Sequence, residues 1–158
     1  MKKKVATAAI AAMTMTFLAG CSSRGTYAKY LNCPMVLCDK KREKANVVAS
    51  MQIIGNVKDA NVILVDDMVD TAGTITKAAD LMKENGAKSV RAIASHGVMS
   101  GPASERVQDS SLIEMVFTDS IPYSKRCDKV KQLSIADLIA ETIRRVETNE
   151  SISSQYLV

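Results

Sequence analysis

From about residue 26 onward, continuous apolar runs alternate with apolar residues at helical spacing. PMVLC (34–38) reads as a short buried strand, DKKREKAN (39–46) as a polar loop with four basic residues, and VVASMQIIG as an edge strand or hairpin arm. NVILVDD (61–67) is an uninterrupted apolar run ending in acid, the pattern of a central parallel strand covered on both faces. Ile75, Ala78, Ala79 and Met82 then recur at helical spacing over residues 74–85, and Asn85-Gly86 predicts the stop. SVRAIAS (89–95) predicts a strand, SGPASERVQD a short helix with proline near its start, and IEMVFTD (113–119) a further strand. Ile135, Leu138, Ile139, Ile143 and Val146 outline one apolar face of a final helix, and AKYLN upstream reads as the end of another. There is no internal repeat and no low-complexity linker.

A β-α-β-α-β series predicts an α/β domain with a parallel sheet and right-handed crossovers. Ligands of such sheets bind beyond the carboxyl ends of the strands. Asp66, Asp67, Ser95, His96, Thr118 and Asp119 all fall at those ends. The stretch ILVDDMVDTAGT (63–74) carries the most chemistry, because it crowds Asp66, Asp67 and Asp70 together and follows them with a small-residue turn. Neighbouring carboxylates raise one another's pKa and need a cation or hydrogen-bond donors to be tolerated. Asp70-Thr71-Ala72-Gly73-Thr74 turns the chain into a helix, and the backbone N–H groups of such a turn form an anion cradle. Gly73 permits close approach of backbone to ligand, while Thr71 and Thr74 add hydroxyls. Carboxylates beside a phosphate cradle suit a sugar phosphate, by accepting hydrogen bonds from vicinal hydroxyls or by holding Mg2+. An acidic loop with an N-capping threonine is the alternative. Neither the G-x-x-x-x-G-K-[ST] nor the G-x-G-x-x-G pattern occurs, which excludes ordinary P-loop and dinucleotide readings.

VILVDDMVDTAGT resembles the phosphoribosyl-pyrophosphate loop shared by type I phosphoribosyltransferases and ribose-phosphate diphosphokinases. KKREKANVV before it, and SHGVMSGPASERV, FTDSIP, KVKQLSIADLIAETIRRV and ESIS after it, resemble the C-terminal half of ribose-phosphate diphosphokinase, in order and spacing, from about Tyr27 to the end. The resemblance implies a three-layer parallel sheet of the phosphoribosyltransferase type. It also implies transfer of the β,γ-diphosphoryl group of ATP to the 1-hydroxyl of ribose 5-phosphate, with Mg2+, for nucleotide biosynthesis. By the same resemblance, Asp66 and Asp67 hold the ribose hydroxyls directly or through metal, and Asp70, Thr71, Ala72, Gly73 and Thr74 cradle the 5-phosphate. Lys40 and Arg42 match the basic pair of that family's catalytic loop, which would neutralise the transferring phosphates. On residue types alone, DKKREKAN is a solvated turn. Ser151 and Ser153 match a tail that helps bind regulatory phosphate or nucleotide at a subunit interface. ATP and ribose 5-phosphate, together with identical or full-length homologous subunits, are the implied partners.

Composition changes this picture mainly at the N-terminus. The net charge is +4, but without Lys2, Lys3 and Lys4 the 21 basic residues fall to 18 against 17 acidic ones. The body is therefore near neutral, with no charge signature of a nucleic-acid surface, and no aromatic residue interleaves the basic loop. MKKK followed by VATAAIAAMTMTF and LAGC reads as a secretory leader over residues 1–21 whose end resembles a lipobox, with Cys21 as the lipidated residue. A buried Ala-rich helix is the alternative. Cys33, Cys38 and Cys127 offer no C-x-x-C spacing, disulfide framework or zinc site, and free thiols suit a reducing cytosol, against the export reading. His96 is the sole histidine and reads as a turn residue at a strand end.

The family has an N-terminal domain of similar fold and a first strand that the resemblance does not find here, so the sheet is expected to be incomplete at its N-terminal side. Residues 27–158 then form the C-terminal domain. Two functions follow: a ribose-phosphate diphosphokinase that needs a complementing fragment, or a non-catalytic module that binds sugar phosphate or packs against other subunits.

Overall fold

The computed structural model describes residues 8–13, 28–29, 31–44 and 47–155, with the backbone alone for 8–13, 39–44 and 47–50. Its strands are β1 (Ala8–Met13), β2 (Met35–Lys44), β3 (Val47–Ile54), β4 (Asn61–Val69), β5 (Ser89–Gly97), β6 (Glu114–Thr118) and β7 (Val130–Leu133). The helices are α1 (Gly73–Glu84), α2 (Ala103–Asp109) and α3 (Ala136–Glu147), followed by a 3-10 turn at Ser153–Gln155. The strands form one sheet in the order β3-β2-β1-β4-β5-β6-β7. Every described pairing is parallel except β2 with β3. The α/β class read from the sequence is the one observed.

Alternation within the strands builds the core. Val62 and Leu64 of β4 are level with Val90 and Ala92 of β5, and Ala92 and Ala94 are level with Met115 and Phe117 of β6. All are buried. Onto this face α1 brings Ile75, Ala78, Ala79 and Met82, whose spacing of three and four keeps them on one side of the helix. The short helix α2 adds Ala103 and Val107. Burial of large side chains such as Leu64, Ile75, Met82 and Phe117 contributes about 1.5–3 kcal/mol each. α1 stops where the sequence predicts. Asn85 is its C-cap, Gly86 has φ +88°, and the N–H groups of Gly86 and Ala87 return to the carbonyls of Lys83 and Met82.

Four expectations change. Residues 39–44, read as a polar loop, continue β2 as an extended strand. Antiparallel pairing with β3, from Asp39 opposite Gln52 to Lys44 opposite Val47, pairs their backbone groups on that side, so their polarity does not forbid the strand. The gap expected at the N-terminal side of the sheet is filled by β1, which lies between β2 and β4 and pairs with both. These residues, AAIAAM, belong to the stretch that reads as a leader. A short apolar run offers both neighbours the backbone donors and acceptors a central strand needs, whatever else its composition suits. The short strand β7 carries only a weak apolar signal and was not anticipated. Finally, α3 forms with its apolar face as read, yet none of its residues is buried, and Leu138, Ile139, Ile143 and Val146 are about half exposed.

Candidate functional site

β4 delivers Asp66 and Asp67 to the carboxyl end of the sheet, where Asp66 is level with Ala94 and Met68 with His96 on β5. Val69 is buried and anchors the strand end, whereas Asp70 and Thr71 are exposed. Ala72 then takes a left-handed conformation, φ 58° and ψ 0°, and α1 begins at Gly73. A residue with a Cβ costs roughly 1 kcal/mol in that region, so surrounding contacts must enforce the turn. The alternative of an N-capping threonine does not hold: the cap position is Ala72, and no side chain caps the helix there. The N-terminus of a helix presents backbone N–H groups and partial positive charge that suit an anion.

The enforcing contacts come from the next crossover. The N–H groups of Met99 and Ser100 donate to the carbonyls of Val69 and Asp70 at 3.1 and 3.0 Å. The Ser100 hydroxyl donates to the Asp70 carboxylate. Lys125 Nζ binds the carbonyls of Met99 and Gly101, both at 2.9 Å, and Arg106 Nη1 binds the carbonyl of Thr71 at 2.9 Å. Ser100 and Arg106 were legible only as members of the short helix read over SGPASERVQD, and Lys125 not at all. Ser100 and Arg106 lie 30 and 35 residues from Asp70 and Thr71, which they hold, and no spacing rule connects them.

Asp67 donates its N–H to Asp66 Oδ1 at 3.0 Å. Among the described residues no group of three His, Cys, Asp or Glu side chains converges as a metal cage. Two adjacent carboxylates still fit Mg2+, which is held by one or two carboxylates with substrate oxygens and water completing the shell.

The remaining strand-end residues divide in their roles. His96 Nδ1 is 2.7 Å from Ser120 Oγ, and Thr118 Oγ1 donates to the carbonyl of Ser95 at 2.6 Å, which ties the ends of β5 and β6 together. Asp119 faces the other way chemically. It accepts from the Ser134 hydroxyl and from the N–H of Ile135, and these bonds hold its carboxyl below the usual carboxylate value. Its task is to fix the chain entering α3.

Lys40 and Arg42 lie on β2, where the backbone alone is described. Register places them all the same. Ala12 is level with both Leu37 and Val65, so Cys38 is level with Asp66, and Lys40 and Arg42 continue beyond it toward the same carboxyl edge. Ser151 and Ser153 follow α3, with Ser151 Oγ donating to Ser153 Oγ at 3.2 Å and Arg145 Nη1 binding the carbonyl of Ser151 at 2.9 Å. Cys21 lies outside the described residues.

Two concavities occur among the described residues, and neither contains the turn's carboxylates. One, of about 530 Å3, is lined by Ala28, Lys29, Asn32, Cys33, Pro34 and Met35. The other, of about 330 Å3, runs between α1 and α2.

Known proteins with this arrangement are consistent. The ribose-phosphate pyrophosphokinase of Porphyromonas gingivalis is 65% identical over 137 residues, 87% of this chain and 44% of that protein. Its counterpart from Campylobacter jejuni is 49% identical over 89% of this chain and 45% of its own length. The crystal structure of phosphoribosylpyrophosphate synthetase from Mycobacterium smegmatis superposes with a TM-score of 0.76 at 32% identity, covering 91% of this chain and 46% of that one. The chain thus spans less than half the length of the relatives it matches. Residues 22–157 match the family described as the phosphoribosyl synthetase-associated domain, and the chain belongs to that family.

Proposed function

We propose that residues 27–158 are the C-terminal, ribose-phosphate-holding half of a ribose-phosphate diphosphokinase. The observation that carries this reading is the turn from Asp70 to Thr74, left-handed at Ala72 and uncapped by any side chain, directly after Asp66 and Asp67. The 5-phosphate accepts hydrogen bonds from the N–H groups of the turn and from Thr71 and Thr74, and the ribose hydroxyls donate to Asp66 and Asp67. That arrangement holds O1 of the sugar in a fixed place, so that attack on the β-phosphorus of ATP proceeds without a search in orientation. The new bond joins O1 to the β-phosphorus, the bond from that phosphorus to the α-phosphate bridging oxygen breaks, AMP leaves, and O1 loses its proton. Lys40 and Arg42 neutralise charge on the transferring group. Mg2+, held by Asp66 and Asp67 with phosphate oxygens, supplies charge neutralisation when bound. Ser151 and Ser153 mark a second, regulatory anion position.

The chain spans less than half the length of each of these relatives, and a second reading is that the domain only holds sugar phosphate or packs against other subunits. Calorimetric titration with ribose 5-phosphate tests the site: binding by the parent and its loss in Asp70→Ala are expected, and unchanged binding in that variant rejects the cradle. A coupled assay with ATP and ribose 5-phosphate separates the two functions. Product formed by the chain alone or with the N-terminal half of a relative added supports the diphosphokinase, and none under either condition supports the binding module.

A further inference from the structure

The guanidinium of Arg106, on α2, stands at the edge of the turn. Nη1 donates to the carbonyl of Thr71 at 2.9 Å, and the same nitrogen lies 3.4 Å from where a Cβ on Gly73 would be. The carbonyl of Thr71 and the N–H of Ala72 belong to one planar trans peptide, so they point in opposite directions. Fixing the oxygen toward α2 therefore aims the Ala72 N–H away from α2. Ala72 is left-handed in spite of its Cβ, and the peptide preceding it is the one Arg106 holds.

Charge adds a second argument. Asp66, Asp67 and Asp70 precede the first helical turn, which itself contains no acidic residue and no side-chain cap. An incoming dianion would meet three carboxylates and only partial positive charge from backbone N–H groups. Arg106 is a full cation positioned beside Gly73. Its planar fork can keep one N–H on the carbonyl while others remain available to a second acceptor, which a lysine ammonium reproduces poorly.

We propose that Arg106 is the positioning residue of the anion turn: by pinning the Thr71 carbonyl beside Gly73 it orients the turn's N–H groups and selects the phosphorylated sugar over the free one. The inference rests on the sugar-phosphate reading above. It goes beyond that reading by assigning phosphate discrimination to a side chain of a different helix, outside the 63–74 stretch.

The test is calorimetric titration of the full chain and of Arg106→Ala and Arg106→Lys with ribose 5-phosphate, inorganic phosphate and ribose. The titrations are repeated with low millimolar guanidinium chloride, and the folding of each variant is checked by its thermal transition. Arg106→Ala is expected to lose roughly tenfold or more in affinity for ribose 5-phosphate and for phosphate. Ribose should bind as it does to the parent, guanidinium should restore part of the lost affinity, and Arg106→Lys should fall between. Unchanged ribose 5-phosphate binding in Arg106→Ala overturns the proposal and leaves the sugar-phosphate site standing. Equal losses for ribose and ribose 5-phosphate without rescue also overturn it, since they mark a general packing role. If the parent itself binds ribose 5-phosphate no better than ribose, the anion turn and the role of Arg106 fall together.

Discussion

The Ser100 hydroxyl donates to the Asp70 carboxylate, and the N–H of Ser100 donates to the carbonyl of Asp70, so the loop after β5 grips the turn after β4 at both side chain and backbone. Asp70 is thus held in place before any ligand arrives, and its contribution to a cradle is one of shape. Ser100→Ala removes the side-chain half of that grip and leaves the backbone half. It is expected to weaken ribose 5-phosphate binding about fivefold, roughly 1 kcal/mol, with little change in the thermal transition. Calorimetry beside a melting curve decides the matter, and a large fall in melting temperature with unchanged affinity would contradict the assignment.

Gly97 ends β5 with no room for a side chain. A Cβ there would lie 2.4 Å from the ring of Phe117, which is 1% exposed and packed edge-on against Tyr123 at 5.4 Å. Neither backbone nor ring can yield cheaply in a core packed to crystal-like density. Gly97→Ala is expected to destabilise the fold by about 2–3 kcal/mol, the usual cost of overpacking. Urea denaturation checks this, and Phe117→Leu in the same background should recover part of the loss by making space.

Acid should loosen the C-terminal helix first. Arg144 binds Glu141 and Glu150, and Arg145 binds Glu141 as well. Hydrogen bonds from Arg144 hold Glu141 and Glu150 from an ordinary 4.5 down to about 2. A carboxylate whose folded pKa is depressed stabilises the fold fully above its unfolded pKa and loses that effect as pH falls through the folded one. The expected window is therefore between about 4.5 and 2, with α3 and the residues after it fraying while the β4–β6 core persists. All four side chains are solvated, so the effect is local and weakened by salt. Carboxyl carbon titration by NMR at Glu141 and Glu150, with amide exchange along α3, measures it.

Removal of residues 1–20, as processing before Cys21 would produce, takes away β1 from between β2 and β4. The hairpin β2–β3 would then have no described strand linking it to β4. The expected outcome is loss of a single cooperative thermal transition, or a transition lowered by well over 10 °C, and weak ribose 5-phosphate binding. Intact mass from the native host reports whether such processing occurs. A shortened, lipidated chain that melts like the full one would show that β1 is dispensable.

Much of the site was legible because its chemistry is local. The order strand, acid pair, turn and helix is written in consecutive residues from Asn61 to Glu84, and both the alternation that buries Val62 and Leu64 and the 3.6-residue period that buries Ile75, Ala79 and Met82 are short-range signals. The carboxyl-end rule then placed Asp66 and Asp67 correctly. Residues 39–44 misled because polarity was read as loop, although an edge hairpin tolerates polar side chains once its backbone is paired.

What the sequence by itself determined is the α/β class, the extent of α1 with its stop at Asn85-Gly86, and the family to which the aspartates and the turn belong. What only the tertiary structure decided is which distant residues make the turn a defined object: Ser100 on Asp70, Arg106 on Thr71 and Lys125 behind Met99 and Gly101. It also decided that a segment with the composition of a leader pairs as a central strand, and that Asp119, placed at a strand end like Asp66, serves α3. The physical reason is the same in each case. Local periodicity reports which face of an element is apolar, whereas hydrogen bonds between crossovers depend on where the sheet brings loops together, and 30 residues of intervening chain carry no trace of that meeting.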